Sequence, residues 1–531
     1  MTRGSLALVL HAHLPYVRHP EYAYHLEENW LYEAVTATYL PLLEVFHGLV
    51  RDGVDFRITM SLSPPLVSML QDDLLRERTA AYLDRLVELG EQERTRTAGD
   101  PVFHRLAVFY HERFVRLKAL YDALDGDLIA AFRRLADDGF LEIVTVCATH
   151  GFLPTVREPS ARRAQIEIAA DHYRRAFHRH PRGIWLAECG YTEGVEELLA
   201  DAGIRFFFVD AHGALLARPR PPLGTFAPVF TRSGVAAFAR DIESSKQVWS
   251  AEEGYPGDPL YRDFYRDVGF DRPLEEIKSF IHPDGIRLHT GFKYFKVTGK
   301  VDLAHKEPYD PYAAIERAQQ HAGHFAWARA EQVRWLASRM DRPPIIISPY
   351  DAELYGHWWF EGPIFIDALC RRLADAPDLR MTTPAEYLVD HPVNAIADVC
   401  PSSWGDGGYA KVWIDGSNDW IYRHQHHAEA RMGDLAHRFA GGSSDLERRA
   451  LNQAARELLL LQSSDWAFIL KTGTAMGYAT SRVKAHAARF RRLDGELTSG
   501  RIDEGWLSDL ERRDNIFPDV DFRIYAPEVR A

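Results

Sequence analysis

The chain has 531 residues, too many for one simple core, so two or three domains are expected. Its 46% apolar and 26% charged residues are those of an ordinary globular protein. With 63 basic against 76 acidic residues the formal charge is -13, which disfavours nucleic acid and anionic membrane as partners and leaves a neutral ligand unopposed.

The short run from Ser5 to Leu10 is broken at His11, too short for a leader or a membrane span. The four cysteines, Cys147, Cys189, Cys370 and Cys400, are widely spaced and form no C-x-x-C. A reducing, cytoplasmic compartment is expected. The run 6–10 reads as a buried parallel strand, and similar runs follow at 56–62, 141–146, 183–186, 204–209 and 345–348. Amphipathic helical stretches, such as 162–178 and 312–339, lie between several of them. Strands alternating with helices predict an α/β barrel or a doubly wound sheet. Residues 66–140 break the rhythm: Leu83, Leu86 and Leu89, then Leu106, Tyr110, Leu117 and Leu124, follow a helical period. From about residue 420 the chain is again helical, with a turn at 441–444.

Functional groups of parallel α/β folds gather at the carboxyl ends of strands. Those ends here carry His11 and His13, then His150, then Trp185 and Glu188, then Asp351 and Glu353. Cleaving a glycosidic bond needs two carboxyl groups, one at the anomeric carbon and one on the leaving oxygen. A single acid at a strand end is commonly a helix cap or an ion-pair partner, and His-x-His at the end of a first strand is also a metal-ligand pair in barrel hydrolases. The aromatic content of 12%, with 12 Trp and 23 Tyr, reads equally as core filler and as flat platforms for sugar rings. Unaided, the residues reach a barrel hydrolase or transferase with two carboxylates.

The motifs His11-Ala12-His13-Leu14-Pro15, His150-Gly151-Phe152-Leu153-Pro154, Trp185-Leu186-Ala187-Glu188-Cys189-Gly190-Tyr191 and Ser348-Pro349-Tyr350-Asp351-Ala352-Glu353 resemble, in order, the signatures of glycoside hydrolase family 57. Glu27-Glu28-Asn29-Trp30, Gln247-Val248-Trp249, Gly254-Tyr255-Pro256-Gly257-Asp258, Trp404-Gly405, Trp413 and Ser463-Ser464-Asp465-Trp466 are similar to segments of its branching enzymes. The resemblance implies an incomplete (β/α)7 barrel over residues 1–65 and 141–400, an inserted helical domain over 66–140 and a helical domain over 401–531. It implies Glu188 as nucleophile and Asp351 as acid/base. It implies sugar contacts at His11, His13, Trp30, His150, Trp185, Asp241, Trp249, Arg266, Gly285, His357, Trp404, Trp413 and Asp465, with Trp404 and Trp413 as the acceptor platform. No catalytic metal or cofactor is implied, so His11 and His13 are read as donor-sugar contacts.

On this resemblance the chain is expected to cleave an α-1,4-glucan and transfer the freed chain to a 6-OH, forming an α-1,6 branch. Its partners are donor and acceptor glucan chains. Glycogen and a methylglucose polysaccharide both stay open as the polymer, and the oligomeric state has no sequence signal. The carboxyl groups of a retaining pair are about 5–5.5 Å apart, and Asp351 is expected to carry a raised pKa. Two departures bear on transfer against hydrolysis. Members carry a Tyr on a loop before the Arg240-Asp241 pair, where residues 234–239 of this chain have none and Phe238 is expected to take over its packing. Members also often carry Gln where this chain has Thr474. An α-amylase or 4-α-glucanotransferase differs only in the acceptor; a metal-dependent hydrolase or deacetylase is the more distant rival.

Overall fold

The computed structural model describes residues 3–249 and 253–526. Its sheet contains β1 (Gly4–Ala12), β2 (Ile58–Leu62), β3 (Leu141–Val146), β4 (Gly183–Trp185), β5 (Phe206–Val209), β6 (Val229–Phe230), β7 (Ala236–Ala239), β8 (Ile345–Asp351) and β9 (Leu379–Met381). The strand order is β6-β7-β5-β4-β3-β2-β1-β8, with β9 pairing along the start of β1. The seven strands from β7 to β8 run parallel; only the two-residue β6 is antiparallel to its neighbour. This is the incomplete (β/α)7 barrel. The backbone N–H of Asp241, just past β7, donates to the carbonyl of Ile347 on β8 at 2.8 Å and so reaches across the opening between the edge strands.

The two-residue period of a strand decides what the barrel interior receives. Leu6, Leu8 and Leu10 of β1 pack outward under the helices, whereas Ala7 and Val9 join Val144, Val146, Trp185, Phe206, Phe208, Ile345 and Ile347 inside. Continuing that alternation carries His11 of β1 and Asp351 of β8 to the inner face at the carboxyl end. The two are register partners.

Four helices, Pro64–Gln71, Asp73–Arg96, Pro101–Ala123 and Leu128–Asp137, lie between β2 and β3. Each starts on a side chain that accepts backbone N–H groups left over in the first turn: Ser63, Asp72, Asp100 and Asp127. Past the barrel come Trp420–Arg438, Asp445–Leu461, Ser464–Thr472, Met476–Ser499 and Glu504–Arg513. Ser444 and Glu447 close a capping box on the second of these. The third returns to the barrel mouth, where Ser464 N–H donates to the His150 carbonyl at 3.1 Å. Among the described residues no helix is long and apolar enough to cross a membrane.

Residues 234–239 are not a loop. They end in β7, and Phe238 is 1% exposed among Phe206, Phe208 and Tyr387 inside the barrel. Its ring packs the barrel interior.

Candidate active site

The turn after β4 sets the geometry. Glu188 and Cys189 both adopt left-handed backbone, with φ of 61° and 50°, a conformation that costs a non-glycine residue about 1–3 kcal/mol. The turn is held by Cys189 N–H on Leu186 O, Gly190 N–H on Ala187 O and Trp404 N–H on Glu188 O, at 2.8, 2.9 and 2.9 Å. Gly190 has to be glycine, because a Cβ there would meet the Phe152 ring at 2.4 Å. The result aims the Glu188 carboxylate across the mouth. Trp404 Nε1–H donates to its Oε2 at 2.9 Å, and the Ser464 hydroxyl donates to its Oε1 at 3.3 Å.

The histidines form a stack beside it. His13 lies on His150 with ring centroids 3.7 Å apart, and His11 lies on Trp185 at 4.9 Å. Each Nδ1 meets a serine hydroxyl: His11 with Ser61 at 2.7 Å, His13 with Ser63 at 2.8 Å, His150 with Ser464 at 2.8 Å. His11 Nε2 faces His150 Nε2 at 3.0 Å, and His13 Nε2 faces both Asp465 oxygens at 3.1 Å. Burial, with the neighbouring imidazoles adding to it, pulls His11 and His150 well below the usual histidine range, so both rings are neutral. Burial pushes Asp465 up, but the His13 ring and its hydrogen bond outweigh it and hold the carboxyl down at about 2. His13, His150 and Asp465 present ligand atoms within 4.8 Å of one another, so they are the residues here able to hold a cation. In the present arrangement His13 Nε2 faces Asp465, while the His150 nitrogens face His11 and Ser464.

Asp351 and Glu353 complete the acid set. Burial raises Asp351 to about 6, against the pull of His13. Burial raises Glu188 to about 8; the Trp404 bond lowers it and the Asp351 charge raises it. Burial thus raises both acids, and the Asp351 charge adds to the rise at Glu188. Glu353 does not open on the same face. It accepts from Tyr39 OH and from His13 N–H at 3.2 Å, bracing the loop after β1. Burial raises its pKa to about 8.

Of the residues singled out in the sequence, Glu188, Asp351, His11, His13, His150, Trp185, Trp404 and Asp465 come together here. Several are not placed as expected. Trp185 is fully buried, a floor under His11 and Trp404 with no free face for a sugar. Trp413 is 2% exposed and stacked on Phe152 at 4.9 Å, so its ring is core and not an acceptor platform. Asp241 is buried at the barrel seam; it caps the helix Ile242–Trp249 through Ser244 N–H (2.8 Å) and takes Gln332 (3.0 Å) and Arg329 (3.5 Å). Arg266 lies over the Phe295 ring at 3.6 Å and pairs with Asp271. Gly285 sits in a turn with φ of 79°, bonded to His282. Trp249 is exposed at the end of its helix. Trp30 is half-buried, edge-on to Tyr478 at 5.7 Å. His357 borders a separate cavity, described below.

Sequence reasoning passed over Ser61, Ser63 and Tyr39, and met Ser464 only as part of the Ser463-Ser464-Asp465-Trp466 motif. One signal existed for the first two: Ser61-x-Ser63 on β2 repeats the spacing of His11-x-His13 on β1, and His11 and Ser61 are register partners.

The chain matches the family model for glycosyl hydrolase family 57 over residues 7–326, and that for the 1,4-alpha-glucan branching enzyme C-terminal region over 424–525. It is 34% identical to the 1,4-alpha-glucan branching enzyme TK1436 of Thermococcus kodakarensis, over 99% of this chain and 79% of that protein. Among solved structures it is similar to the alpha-amylase AmyC of Thermotoga maritima, at 45% identity and a TM-score of 0.94 over 99% of this chain and 100% of the other. It is also similar to the branching enzyme of Pyrococcus horikoshii, at 32% identity and a TM-score of 0.89 over 100% and 98%. With its family model spanning most of the barrel, and a relative matched along nearly its whole length, the chain belongs to glycoside hydrolase family 57.

Proposed function

We propose that the chain is a retaining 1,4-α-glucan branching enzyme with Glu188 as nucleophile and Asp351 as acid/base. The observation that carries the chemistry is the asymmetry of the two acids. Glu188 receives two side-chain hydrogen bonds that favour its carboxylate. No hydrogen-bond donor reaches the Asp351 carboxyl among the described residues, which leaves its proton free for a glycosidic oxygen. Glu188 attacks C1 while Asp351 gives its proton to the leaving oxygen. The 6-OH of an acceptor chain then attacks the glucosyl ester, and Asp351 takes the hydroxyl proton. Two inversions retain the α configuration. A sugar seated against Asp351 supplies the acceptor its neutral form needs, and so favours the proton on Asp351 over Glu188. The neutral His11 and His150, with His13 and Asp465, are the donor-side sugar contacts. The cytoplasm is the compartment this activity fits.

The branching part of the reading rests on the relatives from Thermococcus and Pyrococcus and on the C-terminal family match. The Thermotoga protein, named an alpha-amylase, favours a second reading in which water takes the acceptor's place. Incubation with amylose separates the two: branching yields isoamylase-sensitive α-1,6 linkages, hydrolysis yields reducing ends alone.

A further inference from the structure

A second cavity lies behind the helical segment that carries Tyr39, away from the carboxylate pair. Glu33, Thr36 and Ala37 form one wall, Arg113 and Phe114 of the inserted helices a second, and Arg262, Lys293, His357 and Phe360 are among the residues that close it. It leaves about 40 Å³ for the centres of water-sized molecules, several times what one water requires.

Its charges are unusual. The Arg113 and Arg262 guanidiniums both lie over the ring of Phe360, at 4.7 and 4.1 Å from its centroid. Among the described residues neither has a carboxylate ion-pair partner, and Arg113 Nη2 and Arg262 Nε are buried without any hydrogen-bond acceptor. Arg262 is 8% exposed. None of the acids nearby forms an ion pair with either guanidinium among the described residues. Asp267 takes Lys293 at 3.3 Å together with the N–H groups of Gly269, Thr290 and Gly291. Glu361 accepts from Tyr309 OH and from the Arg262 backbone N–H on Oε1, while its Oε2 is buried without a donor. Glu33, with the His357 ring at 3.9 Å, is pushed up by burial to about 8 against the pull of Lys293. Two like charges held together out of water are costly unless an anion joins them, and the forked guanidinium matches phosphate geometry.

We propose that this cavity is a binding site for a phosphate-type oxyanion, held between Arg113 and Arg262 on the face of Phe360. The anion is either free phosphate or the phosphoryl group of a sugar. The proposal does not depend on the catalytic reading.

The test is isothermal titration calorimetry and thermal melting of the full chain with sodium phosphate, against sodium chloride at matched ionic strength. Glucose 6-phosphate and maltose are titrated separately. Phosphate is expected to bind saturably and raise the melting temperature. Arg113→Lys and Arg262→Lys, which keep the charge and lose the fork, are expected to weaken it about tenfold or more, as for a lost charge-assisted hydrogen bond. Arg116→Gln, on the exposed side of the same helix, leaves it unchanged. Competition by glucose 6-phosphate assigns the site to phosphorylated sugars; its failure to compete assigns it to free phosphate. The absence of saturable phosphate binding overturns the proposal. So does binding that survives in both lysine variants, or a maltose site that those variants abolish.

Discussion

Trp404→Phe tests what the indole does beside Glu188. Phenylalanine keeps an aromatic ring against Trp185, which Trp404 meets edge-on at 4.9 Å, but is smaller than the indole and lacks the Nε1–H that reaches Glu188 Oε2 at 2.9 Å. A hydrogen bond to a charged group contributes about 1.5–3 kcal/mol, or about one to two pKa units. The lost donor favoured the carboxylate, so the Glu188 pKa rises. Two consequences follow for kcat on amylose. The alkaline limb, which follows the titration of the two buried acids, moves up by roughly one to two units. The share of the pair with its proton on Asp351 falls about ten- to hundredfold near pH 7, and the rate falls with it. Both steps use the same pair, so cleavage and transfer drop together. The assay is the pH profile of new reducing ends and new α-1,6 linkages for both proteins. A fall in the linkage ratio with no movement of the limb would refute this reasoning and make Trp404 an acceptor platform.

Glu188→Gln should abolish cleavage and transfer while leaving the melting temperature nearly unchanged, since it removes the group that forms the covalent intermediate; substantial residual turnover would assign the role elsewhere. Trp413→Ala should cost about 3–5 kcal/mol of stability, as a large buried ring lost from the core, seen as a lowered denaturant midpoint; a stable variant with a selective loss of branching would contradict its burial. Exhaustive chelation should leave activity intact with no stoichiometric zinc in the purified protein, and activity restored by added metal would make His13, His150 and Asp465 ligands in place of sugar contacts.

The strands that build the mouth were legible because each is a buried apolar run ending in polar residues. The run at 141–146 coincides with β3, and those at 6–10 and 345–348 stop short of β1 and β8 by a few residues. Strands β6, β7 and β9 were not legible. They are two to four residues long, and Ala236–Ala239 has no β-branched residue to mark it. The catalytic motifs were readable because their chemistry is local to strand ends. The partners of the histidines were harder, since Ser464 reaches His150 from 314 residues away. Tryptophan burial was unreadable: the glycine-rich segment around Trp404 and Trp413 predicts a loop, and it is one, but a loop folded so that one indole points at Glu188 and the other into the core.

The most direct measurement incubates the wild-type protein with amylose and quantifies α-1,6 linkages by proton NMR, alongside the reducing ends released. A branching enzyme is predicted to accumulate α-1,6 signal well in excess of new reducing ends, and the signal should vanish on debranching. Reducing ends that rise with no α-1,6 signal would contradict the account and leave the chain a hydrolase built on the same pair of acids.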